Sequence, residues 1–96
     1  MKQGANMTER LRAKLESALS PLSLDIEDES ARHAGHAGAR EGGETHFRIH
    51  IVSQSFAGLS RVERQRKVYA AVADELAERV HALSLVTLTP GEARSR

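Results

Sequence analysis

Three histidines occupy positions from which they could bind a metal. His33 and His36 lie in the glycine-rich segment HAGHAG, and His81 lies where a predicted helix gives way to an apolar strand. A neutral imidazole binds a metal through one ring nitrogen while the other nitrogen donates to a carbonyl or carboxylate. The chain contains no cysteine, so it can supply nitrogen ligands but no thiolate. A sulfur-containing centre would therefore need a partner to provide the sulfur.

Other interpretations of these histidines remain open. A histidine near a helix end can hydrogen-bond to the last helix carbonyls, and a loop histidine is commonly only solvated. The pair His33 and His36 does not by itself define a zinc site, because two ligands do not complete a tetrahedral shell. His46 and His50 alternate with apolar residues of a predicted strand. We expect both to face solvent, and they are the least suitable ligands.

Basic residues cluster at the start of the second long predicted helix. Arg61, Arg64, Arg66 and Lys67 lie close together, and only Glu63 opposes them there. Such a cluster can contact nucleic-acid phosphates, bind carboxylates of a protein partner, or form a solvated helix face. The net charge of +1 is too small to indicate nucleic-acid binding by itself.

Motifs of known catalytic chemistry are missing from the sequence. It contains no glycine-rich phosphate loop, no cysteine nucleophile and no serine motif typical of a catalytic triad. Asp28 and Glu29 are adjacent, and neighbouring residues of a strand point to opposite faces. We therefore expect a protein that is not an enzyme.

Hydrophobic periodicity in the first half predicts a helix and two antiparallel strands. Thr8 is the predicted N-cap of the helix, which ends at Pro21. Alternating apolar residues, beginning at Leu22, predict a strand over 22–27, and a second strand is predicted over 46–52. The aperiodic segment 29–43 joins them and is long for a loop in a compact domain.

The second half predicts one long helix and a final strand. A short helical turn is expected around Phe56, and Ser60 with Glu63 forms a capping box. The helix is expected to run to about Arg79, before a strand over 81–88 whose register is ambiguous. The predicted buried face of the helix consists of Val62, Tyr69, Val72, Ala73 and Leu76.

These elements predict one α+β domain over residues 8–90, with a three-stranded mixed sheet and helices packed on one face. Residues 1–7 are expected to be a disordered extension and residues 91–96 a disordered tail. No apolar run approaches the ~20 residues that span a bilayer, and the first residues do not resemble a secretory signal. We expect a cytoplasmic protein without membrane contact, which suits a chain without cysteine.

With this element order, the chain resembles the BolA family over residues 11–90. The resemblance rests on the runs DES and RH in 28–33, ETHFRIHIVS in 44–53, and FAGLSRVERQRKVY followed by VHALSL. It implies an α-β-β-α-α-β sandwich related to the type II KH fold. The chain departs from the family at Gln65, where the pattern usually has histidine between two arginines. No ligand role can therefore be assigned at Gln65.

The resemblance also implies a function. It implies a partner of a monothiol glutaredoxin that shares a bridging [2Fe–2S] cluster with it, in iron–sulfur cluster maturation or iron homeostasis. His81 matches the family's HAL histidine, His33 aligns with a loop histidine, and His36 is its possible substitute. The glutaredoxin cysteine and its bound glutathione would supply the sulfur. The isolated chain, a monomer or weak homodimer, would hold no stable cluster.

The second implied role is transcriptional regulation through DNA, contacted by the basic helix over residues 61–79. KH domains clamp RNA through a GXXG loop. The corresponding FAGLSR segment has only Gly58, so we do not expect RNA binding of that kind.

Overall fold

The computed structural model describes residues 6–29 and 46–95. Its elements, in chain order, are α1 (Met7–Leu19), β1 (Ser23–Asp28), β2 (His46–Val52), a 3-10 turn (Gln54–Phe56), α2 (Arg61–Ala71), α3 (Ala73–Glu78), β3 (Ala82–Leu88) and α4 (Pro90–Ser95). The short turn before α2 is present where the sequence predicts it. The α+β class and the element order are confirmed.

The N-terminal helix begins earlier than the sequence predicts. Asn6, rather than Thr8, is the N-cap: its side chain accepts from the Glu9 N–H at 2.8 Å, and the Glu9 carboxylate accepts from the Asn6 N–H at 3.3 Å. Met7, which we placed in the disordered extension, is the first residue of α1 and is buried in the core. The helix therefore contains the end of the predicted extension.

The C-terminal residues form a helix instead of the predicted disordered tail. Thr89 precedes α4, and its hydroxyl accepts from the Glu92 N–H at 3.1 Å. The Glu92 carboxylate in turn accepts from the Thr89 N–H at 2.9 Å. This reciprocal capping satisfies two backbone donors that a helix start leaves unpaired. The prediction of disorder over 91–95 is therefore wrong.

The sheet has the order β1-β2-β3, with β1 antiparallel and β3 parallel to β2. A parallel neighbour requires a crossover connection, which α2 and α3 provide. The alternating residues Phe47, Ile49 and Ile51 of β2 are buried against the helices, as their spacing predicts. Leu22 lies before β1 and is 73% exposed, so its predicted place in the strand is wrong. The mixed three-stranded sheet is confirmed.

The crossover helix is broken in the middle. Val72 adopts φ −114° and ψ 28° between α2 and α3, so the single helix predicted to about Arg79 is two helices. Val62 and Tyr69, predicted to be buried, are 54% and 44% exposed. Val72 is buried as predicted, and Val68, missed by the prediction, is also fully buried.

The true inner face of the crossover also carries charged residues. Glu75 is fully buried in α3, and the side chain of Arg64 in α2 is only 12% exposed. Lys14 Nζ of α1 lies 2.9 Å from the Glu75 carboxylate, and Arg10 Nη2 lies 3.1 Å from it. Hydrophobic periodicity places the buried face of α2 wrongly at Val62 and Tyr69, because it ranks ion-paired residues such as Arg64 as exposed.

The two edges of the sheet differ in charge. β1 has three acidic residues among its six, and Arg12 Nη1 donates to the Leu24 carbonyl oxygen at 3.2 Å. The opposite edge strand, β3, has the sequence ALSLVTL and no charged residue. Leu83 and Leu85 of β3 pack against the core, which resolves its predicted ambiguity of register.

Candidate functional site

His81 is held at the junction between α3 and β3. The preceding residue, Val80, is buried, and its N–H donates to the Glu75 carbonyl oxygen at 3.0 Å. The following residue, Ala82, begins β3 and pairs with His46 of β2. Both neighbours fix the backbone, while the His81 side chain is exposed. The junction therefore presents an imidazole to solvent from a fixed position.

The His81 ring lies near the ring of His46, a residue that the sequence places among the least suitable ligands. The ring centroids of His46 and His81 are 6.4 Å apart, and the ring planes meet at 65°. The parallel register explains the contact, because His46 pairs with the residue that follows His81. Sequence periodicity could not reveal this register. It could show only that His46 and His81 each start a strand.

The other three histidines are either distant from His46 and His81 or outside the residues that the structure describes. His50 lies four residues further along β2, where it pairs with Asp25 and Val86. His33 and His36 lie outside the described residues, so their predicted ligand role stays a prediction. Within 6–29 and 46–95, no group of three or more His, Cys, Asp or Glu side chains could hold a metal ion. The described part of the chain therefore offers imidazole donors that need further ligands from elsewhere.

Arg64 is engaged inside the fold. Its Nε donates to the Leu59 carbonyl oxygen and its Nη1 to the Thr87 carbonyl oxygen, both at 3.0 Å. The guanidinium also makes two hydrogen bonds to Glu92, at 2.7 and 3.1 Å, and lies 5.9 Å from the Phe56 ring centroid. These contacts join α2 to β3 and α4, so Arg64 has a structural task besides its predicted partner contact.

Electrostatics in this cluster follow from the hydrogen bonds. The Arg64 guanidinium, with a smaller contribution from the Thr89 backbone N–H, lowers the pKa of Glu92 to about 2. The Glu92 carboxylate correspondingly raises the pKa of Arg64. Both groups are thus charged at neutral pH, and they neutralise each other at the contact between α2 and α4.

The remaining basic residues of the predicted cluster are exposed. Arg61, Arg66 and Lys67 all have side chains open to solvent on α2. An open cleft of about 800 Å³ separates the start of α2 from α4 and is lined in part by Arg61, Arg64 and Glu92. Because Arg64 and Glu92 are paired, Arg61 supplies an exposed cation to this cleft.

The imidazoles and the start of the basic helix lie at opposite ends of β3. His81 precedes the first residue of this strand, and Arg64 donates to Thr87 near its last residue. At ~3.3 Å per residue, the two ends are separated by nearly 20 Å. The structure therefore does not bring the histidines and Arg64 into one site, and variants can perturb them separately.

Comparison with protein families identifies the fold. The family model described as BolA-like protein matches residues 15–92, well over half of the 96-residue chain. The chain belongs to the BolA family. Among the described residues, no helix is long and apolar enough to cross a membrane.

Relatives in the BolA family carry several names. BOLA1, chloroplastic, from Arabidopsis thaliana is 47% identical over 93 residues, which cover 95% of this chain and 58% of that protein. SufE-like protein 1, chloroplastic/mitochondrial, from the same plant is 49% identical over 86% of this chain and 24% of its own length. The DNA-binding transcriptional regulator BolA of Escherichia coli (strain K12) is 42% identical over 84% of this chain and 73% of its own length. The chain thus spans only a quarter to about three fifths of the two plant relatives.

Solved structures of BolA proteins share the architecture. BolA1 from Arabidopsis thaliana superposes with a TM-score of 0.79 at 43% identity, covering 93% of this chain and 98% of that one. The BolA domain of SufE1 from the same plant gives a TM-score of 0.77 at 46% identity, covering 95% of this chain and 99% of that one. The chain therefore superposes on nearly the whole length of both solved BolA structures.

Proposed function

We propose that this protein is a non-enzymatic adaptor that binds a monothiol glutaredoxin and co-ligates a bridging [2Fe–2S] cluster, in iron–sulfur cluster maturation or iron homeostasis. The observation that carries the proposal is the exposed His81, fixed between the buried Val80 and the first residue of β3. A rigid backbone lowers the entropy that an imidazole loses when it binds a metal. Membership of the BolA family supports the same role.

The ligand chemistry explains why a partner is required. The chain has no cysteine, so the glutaredoxin cysteine and glutathione supply the thiolates, while this chain supplies nitrogen. A cluster that replaces thiolates by imidazoles has a raised reduction potential. His81 would bind through a ring nitrogen that carries no proton. The loop residues His33 and His36 are the predicted source of a second imidazole.

A visible absorption spectrum tests the adaptor. The chain is mixed with a cluster-loaded monothiol glutaredoxin, and the mixture is separated by gel filtration. We expect a heterodimer with an altered cluster spectrum, and we expect His81→Ala to change that spectrum most. His50→Ala is the matched control, because His50 is a described imidazole remote from His81. No complex and an unchanged spectrum would exclude the adaptor function.

The loop histidines need a separate comparison. If His33 and His36 can replace each other, each single alanine variant changes the spectrum little, while the double variant approaches the effect of His81→Ala. Such non-additivity indicates two residues that share one role. A large effect of His33→Ala alone would instead assign the second imidazole to His33 and leave His36 without a role.

DNA binding is the second candidate function, favoured by the relative from Escherichia coli that is named as a DNA-binding regulator. Arg61, Arg66 and Lys67 are exposed on α2 and can contact phosphates. A gel-shift titration at two salt concentrations should then show affinity that falls steeply with salt.

The variant for this test avoids Arg64, whose loss would also disturb the fold. Arg66→Ala/Lys67→Ala removes two exposed cations and should abolish most DNA binding while leaving the unfolding transition unchanged. If the helix serves the glutaredoxin instead, the same variant weakens the protein complex and DNA binding is negligible throughout. We favour the protein partner.

A further inference from the structure

The outer side of α2 carries apolar side chains that are open to solvent. Val62 is 54% exposed and Tyr69 is 44% exposed, and Gln65 and Arg66 lie between them and are also exposed. Residues three, four and seven positions apart share one side of a helix. We propose that this side of α2, the Val62–Tyr69 face, binds an acidic amphipathic helix of a protein partner. The inference goes beyond the proposed function, because it requires neither a cluster nor His81.

The Val62–Tyr69 face has the shape of a shallow groove. Its two apolar ends are about 10.5 Å apart along the helix axis, at 1.5 Å per residue. An open cleft of about 200 Å³ lies between them and is lined by Val62, Gln65, Arg66 and Tyr69. Since an enclosed cavity of ~150 Å³ holds benzene, this cleft has room for an apolar side chain. A partner helix with apolar residues at spacings of three, four and seven therefore matches the groove.

Packing on the other side of α2 keeps this face outward. Val68 is fully buried and the side chain of Arg64 is only 12% exposed, so α2 cannot turn Val62 and Tyr69 inward without exposing these two residues. Single exposed apolar residues are common and need no partner, whereas apolar residues that share a groove with a polar rim are typical of an interaction site. Contact with a partner removes their surface from water and leaves the fold unchanged.

The charge at the centre of the face is positive. Arg66 is exposed there, and no ion pair joins it to another residue within 6–29 and 46–95. Glu63, the single acidic residue of α2, accepts from the Ser60 N–H at 2.8 Å at the helix start. The three acidic residues of α3 are all paired with cations of α1. A carboxylate of a partner is therefore the complementary group for Arg66.

Other occupants satisfy only part of the face. Two copies of this chain related by a two-fold axis would bring the same face against itself, and Arg66 at its centre would then meet its own counterpart. Like charges in contact oppose association. A nucleic-acid backbone would neutralise Arg66 but would place phosphates against Val62 and Tyr69. An acidic helix with an apolar stripe satisfies the cation and the apolar ends together.

Two synthetic peptides are the probes for this face. Both are amphipathic helices of about 18 residues, long enough to form a helix in water, and they share a leucine stripe. The polar face consists of glutamate in one peptide and of lysine in the other. Each is titrated into the isotope-labelled full chain and followed by nuclear magnetic resonance. We expect the glutamate peptide to shift the backbone amide signals of 62–69 and the lysine peptide to leave them unchanged. Equal binding of both peptides, or no shift at millimolar glutamate peptide, would overturn the inference.

Variants locate the contact on the Val62–Tyr69 face. Arg66→Glu should weaken binding of the glutamate peptide roughly tenfold, and Tyr69→Ser should weaken it about fivefold. Leu22→Ser is the apolar control, because Leu22 is exposed at a distance from α2, and Arg94→Glu is the charge control on α4. Both controls should bind within about twofold of the unaltered chain, and circular dichroism verifies the fold of every variant. Unchanged binding in Arg66→Glu would refute the assigned contact.

The outcome is distinguishable from failure of the adaptor and from DNA binding. The titrations contain no glutaredoxin, so binding of the glutamate peptide supports the face even if no cluster is shared. A shared cluster, conversely, does not rescue a face that leaves the peptide unbound. If a short DNA duplex shifts the amide signals of 62–69 and the glutamate peptide does not, the face belongs to DNA and the inference fails.

Discussion

Replacement of Arg64 by alanine should destabilise the domain although Arg64 lies in a basic helix that could be taken for a contact surface. The substitution removes hydrogen bonds to the Leu59 and Thr87 carbonyl oxygens, both at 3.0 Å. It also removes the paired hydrogen bonds to Glu92 and the cation–π contact with Phe56. The side chain is only 12% exposed, so water cannot fully replace these partners.

The size of the effect follows from the two backbone contacts. A hydrogen bond from a charged donor contributes roughly 1.5–3 kcal/mol. Because water can reach part of the site, we expect the two bonds together to contribute about as much as one fully buried bond of this kind, a loss of about 2–3 kcal/mol in the free energy of unfolding. For a domain of this size, that lowers Tm by roughly 10–20 °C.

Urea and thermal denaturation, followed by circular dichroism, measure this loss. Arg66→Ala is the matched control, because Arg66 is an exposed arginine on the same helix and should change the free energy of unfolding by less than about 0.5 kcal/mol. An Arg64→Ala variant as stable as Arg66→Ala would refute the structural role of Arg64. Arg64→Lys should fall between them, since an ammonium cannot reproduce the planar fork.

Three further predictions concern charge and capping. The pKa of Glu92 is lowered from 4.5 to about 2, so its contribution to stability is complete above pH ~4.5 and is lost as pH falls toward 2. Glu92→Gln should already be less stable at pH 7. Between pH ~4.5 and 2 its stability, followed by circular dichroism, should therefore fall less than that of the unaltered chain. Glu75→Ala removes a fully buried carboxylate that pairs with two cations of α1. It should lower the free energy of unfolding, measured by urea denaturation, by about 3 kcal/mol. A loss below about 1 kcal/mol would contradict a buried ion pair. Ser60→Ala should cost about 1 kcal/mol because the capping box at α2 is lost, with the exposed strand residue Ser84→Ala as the control.

Local sequence patterns predicted much of the fold. The alternation of Phe47, Ile49 and Ile51 predicted β2 and its buried face, and Ser60 with Glu63 predicted the start of α2. Both signals depend on residues within a few positions of each other, which sequence alone displays. The C-terminal helix was missed although Thr89 and Glu92 have the same spacing as Ser60 and Glu63, because no apolar run follows them to indicate a helix.

The features that the sequence did not predict depend on contacts between residues far apart in the chain. Val62 and Tyr69 are apolar at helical spacing but face outward, because ion pairs to α1 and α4 bring Glu75 and Arg64 to the inner face. The proximity of His46 to His81 likewise depends on the register between two strands. Neither an ion pair between distant elements nor a register can be read from periodicity in a single sequence.

The contact between Arg64 and Thr87 also has a consequence for aggregation. The Leu88 carbonyl oxygen accepts from the Ser53 N–H on the side of β2, and successive carbonyls of a strand point in opposite directions. The Thr87 carbonyl therefore points to the outer edge of β3, where Arg64 occupies it. On an uncharged edge strand, a charged side chain that binds the backbone acts as a gatekeeper against edge-to-edge association with other chains. The same arginine that stabilises the domain thus protects the open side of its sheet.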